Sequence, residues 1–275
     1  MGAWLYVIAD DEVSLGIFPR EGNGRGRLMA ALPGPMPRDQ AERKEAKPDL
    51  EALAHLPPHG KAEHGALLAL GSGSSPQRRR AVWWALDGDG ALAGEPSVVA
   101  LEELYAALAG ELDGLNIEGA TVRGDDLVLA QRGEGPDGTN ALVRLDLEGV
   151  LAALAGGSGM DGGLVRDVRV HDLGTVDDVK LAFSDLSALP DGRIVFSAVA
   201  EDSPDGHTDG EFVGATIGLL AADGERLETH TLSPAAKVEG VRARPRAGGI
   251  DLVLVADGDD RAVPAPVYRS RLEEG

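Results

Sequence analysis

A five-residue phrase recurs four times along this chain, and the repetition constrains the fold more than any other feature. Each copy has a polar residue, an aliphatic residue, Glu or Ser, a small residue, and then an aliphatic residue or Ala. The copies are Asp49-Leu50-Glu51-Ala52-Leu53, Asn116-Ile117-Glu118-Gly119-Ala120, Asp185-Leu186-Ser187-Ala188-Leu189 and Lys237-Val238-Glu239-Gly240-Val241. Their third residues lie 67, 69 and 52 positions apart, and an apolar strand follows each copy after a turn. Such spacing predicts a repeat architecture.

Each phrase opens a unit of about four short strands. Tight turns rich in Gly and Asp, such as Pro190-Asp191-Gly192, connect the strands, and the 38 glycines suit many such turns. Only residues 101–108 and 147–154 have apolar residues at helical spacing, and we expect both to be short insertions between units. Residues 33–47 form a polar link that contains proline.

These units predict an all-β fold: a single β-propeller of five blades over residues 1–275, or six blades if two units have been merged. The first and last units are incomplete, which predicts closure by strands from both termini. Closure would remove the sheet edges that invite aggregation. A β-sandwich is the main rival because it also uses many short strands. A sandwich does not explain why the same phrase starts each unit.

The composition restricts the partners. The net charge is −20, from 26 basic and 46 acidic residues, and such a field repels nucleic acid and anionic membranes. No run of 18 apolar residues exists, so no membrane span is expected. The absence of cysteine excludes disulfides, thiolate metal sites and cysteine nucleophiles. No export signal precedes the strand at 4–8, so we expect a cytoplasmic protein, and we expect it to be a monomer.

The phrase residues are the candidate site. In a propeller the first strand of each blade lines the central channel, and because side chains alternate along a strand, the first and third phrase residues share a face. The predicted ligand-binding residues are Asp49, Glu51, Asn116, Glu118, Arg132, Asp185, Lys237 and Glu239. Of these, Arg132 follows a second strand and could clamp an anionic group.

Glu51, Glu118 and Glu239 are expected to approach one axis, where like charges need a counter-charge. Ca²⁺ or Mg²⁺ is one candidate, because both cations prefer oxygen ligands. A network of water and carboxylates paired with Lys237 is the other, and both stay open.

Other motifs contribute little. His55, His59 and His64 share one loop and are expected to face solvent. No nucleophile elbow, Walker or Rossmann motif is present in a fitting context. The run Asp257-Gly258-Asp259-Asp260 lacks the ligand spacing of a calcium loop.

The phrases and their surroundings resemble an uncharacterised family of bacterial β-propeller proteins of unknown function. The matching pieces include Lys47-Pro48-Asp49-Leu50-Glu51, Leu115-Asn116-Ile117-Glu118-Gly119, Gln131-Arg132-Gly133, Phe183-Ser184-Asp185, Ala200-Glu201-Asp202 and Lys237-Val238-Glu239-Gly240. More distantly, the Glu-Gly phrase is similar to that of phytase-like propellers, in which such carboxylates face the channel. The resemblance implies the propeller fold and leaves the function open.

Three functions compete. The first is binding of a small polar ligand or a divalent cation at an acidic channel mouth. The second is hydrolysis, either of glycosidic bonds by two channel carboxylates about 5–5.5 or 6.5–9.5 Å apart, or of phosphoesters by a phytase-like site with metals and basic groups. The third is a protein-interaction platform, which predicts a sizeable exposed apolar patch. Whether the protein is an enzyme stays open.

Overall fold

Five small sheets follow one another along the chain, and in each of them consecutive strands are neighbours. The structure, a computed structural model, describes residues 2–21, 24–133, 138–202, 210–258 and 263–273. The first sheet contains β1 (Trp4–Val7), β2 (Ser14–Pro19) and β3 (Arg27–Ala30). The second contains β4 (Leu50–Leu56), β5 (Ala66–Gly71), β6 (Arg80–Leu86) and β7 (Leu92–Ala100).

The remaining three sheets follow the same plan. The third contains β8 (Ile117–Arg123), β9 (Asp126–Gln131), β10 (Asn140–Asp146) and β11 (Val165–His171). The fourth contains β12 (Thr175–Val176), β13 (Val179–Ala188), β14 (Ile194–Asp202), β15 (Glu211–Leu220) and β16 (Arg226–Thr231). The fifth contains β17 (Lys237–Arg246), β18 (Gly249–Asp257) and β19 (Val267–Glu273).

These sheets make the protein an all-β, five-bladed β-propeller, as the repeat predicted. The first and last sheets are the incomplete ones, with three strands each. Closure was expected to use strands from both termini. Within the described residues, however, each end of the chain forms a sheet of its own, and no sheet combines the two.

The chain divides into two compact units. The N-terminal unit comprises Met1–Ile117 and Leu145–Arg166, and the C-terminal unit comprises Glu118–Arg144 and Asp167–Gly275. That residues 1–275 behave as a single domain therefore stays a prediction.

The core of the N-terminal unit lies between its first two sheets. Every residue of β5 is buried, as expected of a strand inside its sheet. Trp84 on β6 is fully buried, whereas its neighbour Trp83 is half-buried because successive side chains point to opposite faces. Trp83 contacts His59, with 5.7 Å between the ring centroids. His55 lies on β4 and not in a loop with the other two histidines, so that part of the prediction is wrong. The prediction of solvent exposure is wrong for His59, which is partly buried.

The core of the C-terminal unit contains two apolar clusters. One is built around Phe183 and Phe196, whose rings meet edge to face at 5.5 Å. The other joins β15 to β17 and β18 through residues such as Ile217, Val238 and Leu254. Buried aromatic pairs of this kind fix the relative position of the strands that carry them.

Among the described residues, three α-helices interrupt the strands: α1 (Gln40–Ala46), α2 (Glu102–Leu108) and α3 (Leu147–Gly156). Helix α2 connects two sheets, as predicted, but α3 lies between β10 and β11 of one sheet, so its predicted place between units is wrong. The link at 33–47 contains the unpredicted α1. Asp39 caps this helix, and Arg43 anchors it with a hydrogen bond of 2.6 Å to the carbonyl of Asp11. Among the described residues, no helix is long and apolar enough to cross a membrane.

Candidate functional site

β-Bulges occur in three of the strands that contain a copy of the phrase. The register of β4 shifts at Glu51, that of β13 at Ser184, and that of β17 at Glu239. A bulge inserts one extra residue and re-aims its side chain. Glu51 and Glu239 are both third residues of the phrase, and each lies at the bulge of its strand. These two positions are therefore structurally equivalent. In the fourth sheet Ser184 occupies this position instead of Ser187, so the repeat begins three residues earlier there than the sequence suggested.

A cluster of three carboxylates and two cations lies in the C-terminal unit, and we call it the Arg132 cluster. Its members are Glu118, Arg132, Glu201, Lys237 and Glu239. The Arg132 guanidinium contacts Glu201 directly and lies 3.7 Å from Glu118 Oε2. Lys237 Nζ lies 2.9 Å from Glu201 Oε1 and 3.9 Å from Glu239 Oε1. Glu201 therefore bridges the two cations.

The positive and negative charges of the Arg132 cluster nearly cancel. Burial raises the pKa of Glu239; Arg132 and Lys237 oppose this rise, while Glu118 and Glu201 add to it. Protonation of one carboxylate would leave two negative charges beside two positive ones. This arrangement resembles the lysine–carboxylate network of the sequence analysis, with Arg132 as a second cation.

Asp185 makes different contacts from the phrase glutamates. Its carboxylate accepts hydrogen bonds from Leu186 N at 2.7 Å and Val241 N at 2.8 Å. Burial raises its pKa to about 8, although both backbone bonds favour the ionised form. Asp185 therefore links β13 to β17. Gly119 lies against it: a Cβ there would come within 2.9 Å of the Cα of Asp185, which explains the small fourth residue of the phrase.

A second charged cluster lies in the N-terminal unit, and we call it the Asp49 cluster. Its carboxylates belong to Asp10, Asp49 and Glu51, and its cations to Lys47 and Arg78. Asp49 is buried, and its backbone has φ of 54°, a left-handed conformation that Asp tolerates better than most residues. Its Oδ2 accepts a hydrogen bond of 2.5 Å from Ser72 and lies 2.9 Å from Arg78 Nη1. The side chain of Asp49 is thus held at the centre of the cluster.

The three carboxylates of the Asp49 cluster converge on one point. One oxygen from each of Asp10, Asp49 and Glu51 lies within 4.8 Å of the other two. Lys47 Nζ lies 2.6 Å from Asp10 Oδ2 and 2.5 Å from Asp49 Oδ1. Burial alone would lower the pKa of Lys47, but Asp10 and Asp49 outweigh it and raise that pKa, so the ammonium stays charged. The lysine therefore already places a cation between two of these acids.

The structure gathers the predicted residues into two groups. Glu118, Arg132, Lys237 and Glu239 meet in the C-terminal unit, and Asp49 and Glu51 meet in the other. Asn116 is buried next to the start of β8. The approach of Glu51 to Glu118 and Glu239 stays a prediction, as does their shared metal. Asp260, from the acidic run near the end, lies outside the described residues.

Two members of the Asp49 cluster, Lys47 and Asp10, are not among the predicted ligand-binding residues. Lys47 stands two positions before Asp49, so it reads in sequence as part of the polar link. Asp10 follows β1, and its backbone carbonyl accepts a hydrogen bond of 3.1 Å from Asp49 N. The sequence signal for this pairing was the position of Lys47 two residues before Asp49, because it places a cation beside the first carboxylate of the phrase.

The fold and the two clusters define a class of protein: a small acidic β-propeller whose first-strand carboxylates are paired with Lys and Arg. The chain belongs to a family of unknown function, DUF6910, whose model matches residues 43–261. The family assignment confirms the resemblance to an uncharacterised family; the likeness to phytase-like propellers stays a prediction.

Solved structures of one enzyme are similar to this chain. They include a mutant and a cobalt-substituted form of Synechocystis apocarotenoid oxygenase, each 15% identical with a TM-score of 0.46. The alignments cover 94% of this chain, which spans 58% of the length of either structure. A search of curated proteins finds no match.

Proposed function

We propose that this protein binds a divalent cation through Asp10, Asp49 and Glu51 of the Asp49 cluster. The observation that carries the proposal is the convergence of three carboxylate oxygens within 4.8 Å of one another. Ca²⁺ takes oxygen ligands at about 2.3–2.6 Å, so ligands on opposite sides of the ion lie about 4.6–5.2 Å apart. Mg²⁺ requires a tighter octahedron, with about 4.0–4.2 Å across. The spacing accommodates either ion.

Binding would be an exchange of cations. The Lys47 ammonium lies at 2.5 and 2.6 Å from two of the three acids, so it must withdraw before a metal can take its place. Asp49 would keep its contacts with Arg78 and Ser72 through Oδ2, which leaves Oδ1 directed toward the ion. Lys47 thus acts as an internal competitor of the metal and lowers its apparent affinity.

The proposal is tested by calorimetric titration of the full chain with CaCl₂ and MgCl₂, and by thermal midpoints in EDTA and in each salt at matched ionic strength. Matching the ionic strength removes the general effect of cations on a protein of net charge −20. We expect one bound ion, with about 2.7 kcal/mol of added stability at a hundredfold excess over the dissociation constant.

Three variants sharpen the test. Asp10→Asn should abolish binding, since it removes one of three charged ligands. Lys47→Met should strengthen binding by removing the competitor, although it should lower the stability of the metal-free protein. Glu111→Gln is the matched control, because it removes one exposed negative charge of the same unit.

Equal midpoints in EDTA and in both salts, for the wild type and for Lys47→Met, would contradict the proposal. The cluster would then be an ion-pair network that fixes α1 and β4, and Lys47→Met would only destabilise. Binding of a small polar ligand at an acidic channel mouth, hydrolysis and a protein-interaction surface stay predictions.

A further inference from the structure

A cavity in the C-terminal unit is lined by basic side chains. Its accessible volume is about 140 Å³, roughly ten times what one water molecule requires. Buried Val128 and Leu142 line it. Arg123, Arg144, Arg169 and His171 also line it, together with Asp167 and the turn Ala222-Asp223-Gly224. This cavity shares no residue with either charged cluster.

The strand pattern explains why the basic side chains converge. Asp167, Arg169 and His171 alternate along β11, so they share one face of the strand. Leu142 and Arg144 are paired in the same way on β10, and Arg123 ends β8. Three guanidinium groups therefore meet at one place in a protein whose net charge is −20.

The basic groups crowd one another. Burial lowers the pKa of Arg123, and the charge of Arg144 adds to the effect. Burial also lowers the pKa of His171, and Arg169 lowers it further. The acids Asp167 and Asp223 line the cavity, and Asp126 pairs with Arg144 at 2.8 Å. The side chain of Asp223 accepts a hydrogen bond from Glu225 N in its own turn, so it is engaged there.

Hydrogen-bond donors remain available in this cavity. In the part of the chain that the structure describes, Arg123 donates to the carbonyl of Ala222 at 3.3 Å, and Arg144 donates to Asp126. A guanidinium has five N–H donors, so each has others left for a ligand. Nε2 of His171 is buried and has no hydrogen-bond partner among the described residues. A buried polar atom of this kind is costly unless something binds it.

Glycine at position 224 keeps the cavity open. Its φ is +84°, and a Cβ there would lie 2.8 Å from Nη1 of Arg169 and 3.5 Å from Cε1 of His171. Any other residue would press on the Arg169 guanidinium and come into contact with His171. The turn can therefore approach the guanidinium closely, and Arg169 donates a hydrogen bond to the carbonyl of Asp223.

We propose that this cavity binds a small doubly charged oxyanion of the phosphate class, held by Arg123, Arg144, Arg169 and His171. Guanidinium groups match the oxygens of phosphate in pairs, and such charge-assisted bonds are about twice as strong as neutral ones. The dianion would offset the crowding of like charges and give His171 Nε2 a partner. The ligand is either free phosphate or the phosphate end of a monoester.

The test is titration of the full chain with inorganic phosphate, methyl phosphate, sulfate and chloride at constant ionic strength, followed by calorimetry and by the imidazole proton signals of His171. The His171→Asn variant identifies these signals. We expect saturable binding of the first three anions to one site, a shift of the His171 signals, and no specific effect of chloride. Tighter binding of methyl phosphate than of inorganic phosphate would identify a monoester as the ligand.

Arg123→Gln is the informative variant, because its one hydrogen bond within the described residues is the long one to Ala222. It should weaken phosphate binding about tenfold or more, since one charged hydrogen-bonding group is lost. Arg246→Gln is the control, as it removes an exposed arginine of the same unit that pairs with Asp251. Equal weakening by both variants would reveal a general effect of charge and overturn the proposal. Absence of saturable binding by the wild type at 10 mM phosphate, about the weak limit for a useful site, would overturn it as well.

Discussion

Individual acidic residues of one repeated pattern have different roles in this protein. Glu239 lies beside Lys237 in the Arg132 cluster, and Asp49 lies between Lys47 and Arg78. Asp185 instead accepts two backbone N–H groups. All three residues are Asp or Glu, so the residue type does not explain the difference. It arises from the groups that each bulge or strand places next to the carboxylate. Burial raises the pKa of Asp185 more than its two backbone hydrogen bonds and the charge of Arg242 lower it.

Substitution of Asp185 by Asn should change how stability depends on pH. Burial raises the pKa of Asp185 to about 8 in the folded protein, against an ordinary value of 3.8. Between about pH 4 and 8 the unfolded chain releases this proton while the folded chain keeps it. The free energy of unfolding therefore falls as pH rises, by up to about 1.4 kcal/mol per pH unit. The Asn variant lacks this contribution.

Urea unfolding of both proteins at several pH values measures the effect. We expect the stability of the wild type relative to Asp185→Asn to be highest near pH 4 and to decline toward pH 8. The variant Asp191→Asn, at an exposed turn, should not reproduce the decline. Parallel stability curves for the wild type and Asp185→Asn would show that Asp185 titrates normally.

Hydrogen bonds to short polar side chains connect the neighbouring strands β8, β13 and β17. Thr121 Oγ1 on β8 accepts a hydrogen bond of 2.9 Å from Ala188 N on β13. Ser187 Oγ on β13 accepts one of 3.0 Å from Ala243 N on β17. These strands are neighbours but do not pair with one another in a sheet. Side-chain oxygens therefore accept hydrogen bonds from backbone N–H groups that have no partner in a β-ladder. Polar residues in the phrase and directly after it therefore contribute to strand packing.

Asn140, on β10, makes three such hydrogen bonds with backbone groups. Its Oδ1 accepts hydrogen bonds from Gly133 N at 3.2 Å and Phe183 N at 3.1 Å, and its Nδ2 donates to Leu181 O at 2.8 Å. Asn140→Ala should destabilise the protein by about 3 kcal/mol, since buried backbone groups would lose their partner. Thr229→Ala, at an exposed site on β16, is the control and should cost less than about 0.5 kcal/mol. Equal midpoints in urea for the two variants would show that water replaces the lost bonds.

At the scale of the whole molecule, the sequence predicted the fold better than the site. The phrase located β4, β8 and β17 because each copy joins a polar residue to an apolar strand. It misplaced the third copy because Ser184 has no carboxylate to mark the bulge. Of the cations in the two clusters, Lys237 was paired with the phrase carboxylates in advance, whereas Arg78 and Arg132 were not paired with particular acids. Arg78 and Arg132 come from other strand ends, and only the folded chain brings them to Asp49 and Glu118.

The two units should unfold together. Three strands of the third sheet, β8, β10 and β11, each begin in one unit and end in the other. Neither unit is a continuous segment, so neither can lose its strands while the other keeps a complete sheet. We therefore expect one calorimetric transition, with an enthalpy of about 190 kcal/mol near 60 °C for a chain of 275 residues. The calorimetric and van't Hoff enthalpies should agree, as they do for a two-state transition. Two resolved transitions, or a van't Hoff enthalpy near half the calorimetric value, would mean that the units unfold independently and that the chain is not a single domain.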